Sequence, residues 1–368
     1  MNGLSVQVNG KLGELNFNFK HHFKNKGITT LFGPIGSGKS TLVNTIGGFN
    51  QQLKAKILLN GTELQGKDFT KPRYRPIAIM FQENRLIESL TIMENLKFAE
   101  DKSKNKLCST GLVNKDYIIE KLNINDKLFK YPNNLSTGEK QLVSLARTLL
   151  ISSELIILDE PTSSLDLRTK TRILSFLKDF NSQFNLPILL ISHSLEEIVQ
   201  ISDEIVLINK GNFVTSGKVS EIMIEKEFKN FFGKFESGAI LNGLVIEKEK
   251  NFNLTKIEVE NQILILPGNF KKKGDKIRVR IRARDVIVSK INLKKVFIEN
   301  VLKGKITEII LEKDTAFAEI LIKISTDKSF QFFRARITKY NLKKMNLKIK
   351  DNIYAHLRSV SFDRQAII

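Results

Sequence analysis

Apolar positions in this chain show two textures. Up to about residue 235, short apolar or β-branched runs alternate with longer stretches in which apolar residues recur every three or four positions. The runs 28–32, 77–81, 155–158, 188–191 and 205–208 carry almost no charge, which predicts strands covered on both faces, as in a parallel sheet. Helical spacing predicts helices over 139–151, 166–184 and 195–201, with Asp166 and Ser194 placed to cap the second and third. Strands alternating with helices predict an α/β domain. After Gly233 the pattern changes to short alternating strands over 255–260, 263–266, 276–284, 303–311, 315–324, 330–337 and 353–359. Pro267-Gly268, Lys273-Gly274 and Thr326-Asp327 break these strands, and a short helix fits near 338–346. This half reads as all-β, either one domain or a tandem of small barrels. The expected boundaries are 1–235 for the α/β domain, 236–295 for a first β region and 296–368 for a β-barrel.

Composition narrows the picture in four ways. With 368 residues there is room for two or three separate cores. No apolar run reaches the ~18 residues of a membrane span, and the N-terminal Met1–Gly10 lacks the apolar core of a secretion signal. A single cysteine, Cys108, excludes an internal disulfide and fits a reducing compartment. The net charge of +20 is concentrated late: residues 241–368 hold 28 Lys/Arg against 14 Asp/Glu. These lysines are scattered with few aromatic residues between them, so no nucleic-acid partner is expected. Arg278, Arg280, Arg282 and Arg284 alternate with apolar residues and would share one face of a strand, read as a solvated face.

Candidate chemistry begins at Gly33-Pro34-Ile35-Gly36-Ser37-Gly38-Lys39-Ser40, followed by Thr41. G-x-x-x-x-G-K-S is the phosphate-binding loop of nucleotide hydrolases. Its glycines let successive N–H groups point at one anion, and the helix that follows aims its positive end at the same place. Lys39 is placed for the β- and γ-phosphates of ATP, and the Ser40 hydroxyl for Mg²⁺. A second element is the buried strand 155–158, which ends in Asp159-Glu160-Pro161. Asp159 is placed to face the metal, and Glu160 the attacking water.

Between these elements lies Leu135-Ser136-Thr137-Gly138-Glu139-Lys140-Gln141, which resembles the signature of the ATP-binding cassette (ABC) family. Thr137 stands where that family usually has a first glycine. Other family elements follow in order. Met80-Phe81-Gln82 resembles the loop whose glutamine senses metal and water. Ser163–Asp166 resembles the loop linking two subunits, with Asp166 counted among the nucleotide contacts. Ile191-Ser192-His193 resembles the strand ending in the switch histidine, and 210–217 the closing turn. No aromatic residue occurs in 6–14, where the family often stacks adenine, so aliphatic contacts are expected there.

The resemblance implies a P-loop NTPase fold with an ABC-type nucleotide-binding domain, ATP and Mg²⁺ as ligands, and a homodimer of ATPase subunits. Each site would join Gly33–Thr41, Gln82, Asp159, Glu160 and His193 of one chain to Ser136 and Gly138 of the other. The residues 278–286, 300–306 and 353–362 resemble the C-terminal Mop/TOBE barrel, an OB-like all-β domain, of molybdate-importer ATPases. That implies transmembrane permease subunits docking around 83–95 and, indirectly, a periplasmic oxyanion-binding protein. It also places the chain peripherally on the cytoplasmic face of the inner membrane. Phe297 and Glu299 depart from the family pattern and disfavour a bound dianion, so no ligand residues are assigned in the barrel. Three alternatives stand beside this reading. They are a TOBE-bearing ATPase for iron, sulfate, polyamine or sugar, a soluble ABC ATPase, and a regulatory oxyanion module with a decayed ATPase.

Overall fold

The computed structural model describes residues 2–104, 113–151, 153–225, 228, 238–268, 272–292 and 300–358. Cys108, Phe297, Glu299 and the residues beyond 358 lie outside the described residues. The chain forms two compact units, Met1–Gly217 and Lys218–Ile368.

The first unit is built on a sheet whose centre is β3 (Ile28–Phe32), flanked in parallel by β8 (Ile188–Ile191) and β9 (Glu204–Asn209). β7 (Leu155–Asp159) pairs with β8, and β6 (Ile77–Met80) closes that edge. Beyond β9 lie β10 (Asn212–Lys218), β2 (Leu15–Phe23), β1 (Leu4–Leu12), β4 (Lys54–Leu59) and β5 (Thr62–Gln65). The continuous apolar runs have a simple origin. On β7, Ile156 and Leu158 enter one core while Leu155 and Ile157 enter the other; on β8, Ile188 and Leu190 part from Leu189 and Ile191 in the same way. The first core is closed by α2 (Ile92–Lys104), α3 (Lys115–Leu122), α4 (Thr137–Leu149) and α5 (Leu167–Phe184). The second is closed by α1 (Lys39–Gly47) and the antiparallel strands β1, β2 and β4.

The expected helices form with small shifts. α4 starts at Thr137, with Ser136 as its N-cap. Asp166 caps α5, and Ser194 caps α6 (Leu195–Ile201). The sequence reading missed β1, β2, β4, β5 and β10. Polar residues such as Asn16, Asn18 and Lys20 alternate with the buried Phe17 and Phe19 on β2, and this half-exposed pattern carries a weaker signal.

Arg75 is the largest fully buried side chain among the described residues. Its guanidinium donates to the carbonyls of Thr70, Thr45, Ile46 and Leu64 and to Gln65 Oε1, at 2.5–3.3 Å. Thr45 and Ile46 lie in the last turn of α1, where a cation satisfies orphan carbonyls and opposes the helix dipole. Burial pulls this guanidinium down to about 10. Arg75→Ala is expected to cost about 3–5 kcal/mol, because several buried acceptors lose their donor at once. Arg75→Lys should recover little, since an ammonium cannot reproduce the fork. Urea denaturation followed by circular dichroism checks both variants, and a loss below ~1 kcal/mol for the alanine variant would contradict this account.

The second unit begins with α7 (Val219–Ile222) and holds two sheets around one core. One has the order β13 (Gln262–Pro267), β12 (Leu254–Val259), β11 (Gly238–Glu249), β14 (Lys276–Arg282). The other has the order β15 (Val286–Ser289), β19 (Asn352–Leu357), β16 (Asn300–Leu311), β17 (Phe317–Ser325), β18 (Phe330–Thr338), with α8 (Lys339–Lys344) following β18. Three side-chain amides join these sheets by exchanging hydrogen bonds with a backbone N–H and C=O. Asn300 does so with Ile265, Gln262 with Lys303, and Gln331 with Asn242. The strand expected over 276–284 ends at Arg282; Arg284 lies in a 3₁₀ turn, and Arg280 is buried. The four arginines therefore do not form one solvated face. β11 and β15 were not anticipated.

Candidate active site

Residues 33–40 bridge the end of β3 and the start of α1. Two glycines there have no substitute. A Cβ on Gly33 would stand 2.1 Å from the Ile208 carbonyl oxygen, and Gly38 has φ +99°. Gly36 also lies in the left-handed region, at φ +75°. Ile35 is exposed and Ser37 is buried. Lys39 Nζ donates to the carbonyls of Gly33 at 2.8 Å and Pro34 at 2.9 Å, so the ammonium is held inside its own loop. Burial lowers its affinity for a proton, while Glu160 and Asp159 act to raise it. Gly38 gives α1 no side-chain cap, so the first-turn N–H groups at Lys39, Ser40 and Thr41 have no acceptor within the helix. That donor set fits a phosphate.

Asp159 ends β7 and is buried. Burial and the neighbouring Glu160 push its carboxyl up to about 6, against the opposing pull of Lys39 and a hydrogen bond with Ser40. A hydroxyl beside a buried carboxylate that lacks a full counter-charge suits a hard divalent cation. No group of three or more His, Cys, Asp or Glu side chains is arranged to hold a metal among the described residues. Mg²⁺ held by Ser40 and Asp159 would therefore need ligands from the nucleotide as well.

Glu160 is the meeting point of the site. Its Oε1 lies 3.0 Å from His193 Nδ1, and its Oε2 accepts from Gln82 Nε2 at 3.4 Å. His193 follows β8, and Gln82 follows β6, the strands on either side of β7. Parallel strands carry their C-terminal ends to one rim of the sheet, which is why residues 33 and 78 positions apart converge. Glu160 has φ +50°, a left-handed conformation costing roughly 1–2 kcal/mol for a residue with a Cβ. Its N–H donates to Ile191 O at 2.9 Å.

The signature residues stand apart from the loop. Ser136 Oγ accepts from Glu139 N, Glu139 Oε2 accepts from Ser136 N, and a Cβ on Gly138 would lie 3.0 Å from Ser164 O. Among the described residues, none of these partners belongs to 33–41. Asp166 is engaged by the Arg168 and Thr169 N–H groups that it caps. Glu139 is held at about 2 by Lys127 and by the Ser136 N–H. A depressed carboxylate contributes fully above its ordinary value of 4.5 and loses that contribution as the pH falls toward 2. Glu139→Gln is therefore expected to destabilise by ~1 kcal/mol at pH 7, with the gap to the parent closing between pH 4.5 and 2. Stability curves against pH for both proteins check this; a gap independent of pH would contradict it.

Sequence reasoning missed two residues here. Gln141, on the buried side of α4, donates to Glu160 O and Ser163 Oγ and accepts from Ser164 N. Glu197, buried on α6, accepts from Thr162 and Ser192 hydroxyls and pairs with Lys170. The available signal was a polar residue in a core position of an amphipathic helix, between Gly138 and Leu145 in one case and beside Ile198 in the other.

The family model described as ABC transporter matches residues 16–163. The molybdenum import ATP-binding protein ModC of Saccharophagus degradans is 32% identical over 339 residues, covering 91% of this chain and 91% of that protein. The protein of the same name from Photobacterium profundum is 30% identical over 362 residues, covering 97% and 98%. Among solved structures, the ADP conformation of the ATP-binding cassette MJ1267 matches with a TM-score of 0.53 at 20% identity, over 63% of this chain and 98% of that one. The dimeric post-hydrolysis state of the cassette MJ0796, bound to ADP and Pi, matches with a TM-score of 0.50 at 23% identity, over 59% and 98%. These two likenesses establish the fold of the first unit. With the relatives matched across both units, this chain belongs to the ABC transporter family, in the group of molybdenum import ATP-binding proteins.

Proposed function

We propose that this chain is the ATP-hydrolysing subunit of an importer for molybdate or a closely related oxyanion. The observation that carries the chemistry is Glu160, held between His193 and Gln82 beside the loop that contains Lys39. The loop N–H groups and Lys39 bind the β- and γ-phosphates of ATP. Water attacks the γ-phosphorus in line with the departing ADP oxygen; Glu160 orients that water and accepts its proton, and His193 holds the Glu160 carboxylate and reaches the γ-phosphate. Lys39 offsets the charge that develops on the transferred group. Ser40 and Asp159, with Gln82, would hold Mg²⁺, which when bound would supply electrostatic stabilisation of the developing phosphate charge. Ser136 and Gly138 point to a second chain, since among the described residues neither reaches the phosphate loop 33–41 of its own chain; two chains would sandwich two ATP molecules head to tail, with Asp166 at the subunit junction.

No helix among the described residues is long and apolar enough to cross a membrane. Transport then needs permease subunits, on whose cytoplasmic side this chain docks through 83–95, and a periplasmic oxyanion-binding protein that delivers cargo to them. The cargo assignment is supported by relatives that match both units of the chain. The test is reconstitution with the permease in vesicles loaded with ATP. Molybdate on its binding protein should stimulate hydrolysis and enter the vesicle, whereas sulfate, iron, polyamine and sugar should not. Stimulation by one of those in place of molybdate would reassign the cargo and leave the ATPase chemistry standing.

A further inference from the structure

Gln141 joins the two halves of the machinery within one chain. Its amide is 2% exposed, and its partners are all in the segment that follows β7. Nε2 donates to Glu160 O at 2.8 Å and to Ser163 Oγ at 3.1 Å; Oε1 accepts from Ser164 N at 2.9 Å. The Glu160 peptide is thus gripped on both sides, by Ile191 through its N–H and by Gln141 through its C=O. That grip acts on Glu160, which holds a left-handed backbone despite carrying a Cβ, and it aims the carboxylate at His193 and Gln82. Gln141 is also one helical turn from Gly138, whose own position lies against Ser164 O. The start of α4 and the Glu160 turn are therefore tied directly to each other.

We infer that Gln141 is a positioning residue that sets the Glu160 carboxylate, and that it carries the state of one ATP site to the other. The inference rests on the reading above in which Ser136 and Gly138 serve the neighbouring chain's ATP. An ATP bound against the start of α4 pulls on the helix, and Gln141 passes that displacement to the Glu160 carbonyl of the same chain. Nucleotide held at the other site then quickens each chain's hydrolysis through this amide, while a single occupied site still fires at a lower rate.

The experiment uses the full chain with two substitutions. Gln141→Met keeps the length of the side chain and removes its hydrogen bonds. Gln141→Glu keeps the volume and the acceptor for Ser164 N but replaces the donor facing Glu160 O. For both, kcat is expected to fall by about 10²-fold, the scale of an ångström-sized misplacement of a reacting group. Binding of a fluorescent ATP analogue should stay within about threefold of the parent, because Gln141 touches none of the phosphate loop. The Hill coefficient for ATP should drop to 1. Parental kcat and Hill coefficient in the better folded of the two, judged by thermal unfolding, would overturn the inference. So would a kcat loss with the parental Hill coefficient intact, which leaves Gln141 a purely local support. Glu160→Gln measured alongside separates this from the underlying reading: if that variant hydrolyses ATP like the parent, the site assignment itself has failed.

Discussion

Glu160→Gln is expected to bind ATP like the parent while its turnover falls by about 10²–10⁴-fold. The substitution preserves shape and keeps the amide within reach of both His193 and Gln82, which lie 3.0 and 3.4 Å from the two carboxylate oxygens. It removes the only function that shape cannot supply, which is a base for the proton of the attacking water. Lys39 and the first turn of α1 are untouched, so affinity for nucleotide should not move. A second consequence follows from the dimeric reading. With hydrolysis blocked, ATP should hold two chains together, and size-exclusion chromatography with ATP should show a dimer that the Lys39→Ala variant does not form. Turnover within a few-fold of the parent would assign the base to another group.

The second large effect concerns which chain supplies what. Lys39→Ala chains and Ser136→Arg chains should each be inactive alone, the first for want of the phosphate contact, the second because a long cation replaces the cap of α4. Mixed in equal amounts they should recover up to about one quarter of parental activity. Random pairing makes half of the dimers mixed, and each mixed dimer contains one site with an intact Lys39 and an intact Ser136. The geometry motivates this: Ser136 bonds to Glu139, and Gly138 packs near Ser164, but the loop 33–41 contacts neither among the described residues. Recovery requires that one intact site can fire alone. Strong activity from a verified monomer of the parent would show instead that the whole site is built within one chain.

Much of this site was legible before any coordinates. The glycines at 33, 36 and 38, the lysine that follows and the acids after a buried strand are local requirements of phosphate and metal chemistry, and local requirements are written in consecutive residues. Caps are equally local, so Ser194 and Asp166 were readable as helix starts. The continuous apolar runs of β7 and β8 also told truly that both faces of the central sheet are covered, since each face has its own core.

Other features were decided only in the tertiary structure. The order β9-β3-β8-β7-β6 brings Gln82, Glu160 and His193 to one rim, yet no periodicity within a strand states which neighbour it takes. Lateral order depends on how crossovers pack. The half-exposed antiparallel strands of the first unit, and β11 and β15 of the second, were missed because they lack an unbroken apolar run, and pairings distant in the chain complete them: β1 with β4, β11 with β14 and β15 with β19. The arginines 278–284 read as one solvated face, but a 3₁₀ turn removes Arg284 from the strand and Arg280 is buried. Gln141, Glu197 and Arg75 show the same limit most sharply. A polar side chain can be buried only where its partners are already in place, and those partners come from other elements. The sequence by itself therefore determined the chemistry of phosphate binding, the metal-facing acids and the α/β and all-β textures of the two units. The tertiary structure decided which distant residues hold the Glu160 carboxylate in place, because that is a property of packing across the sheet and not of any segment alone.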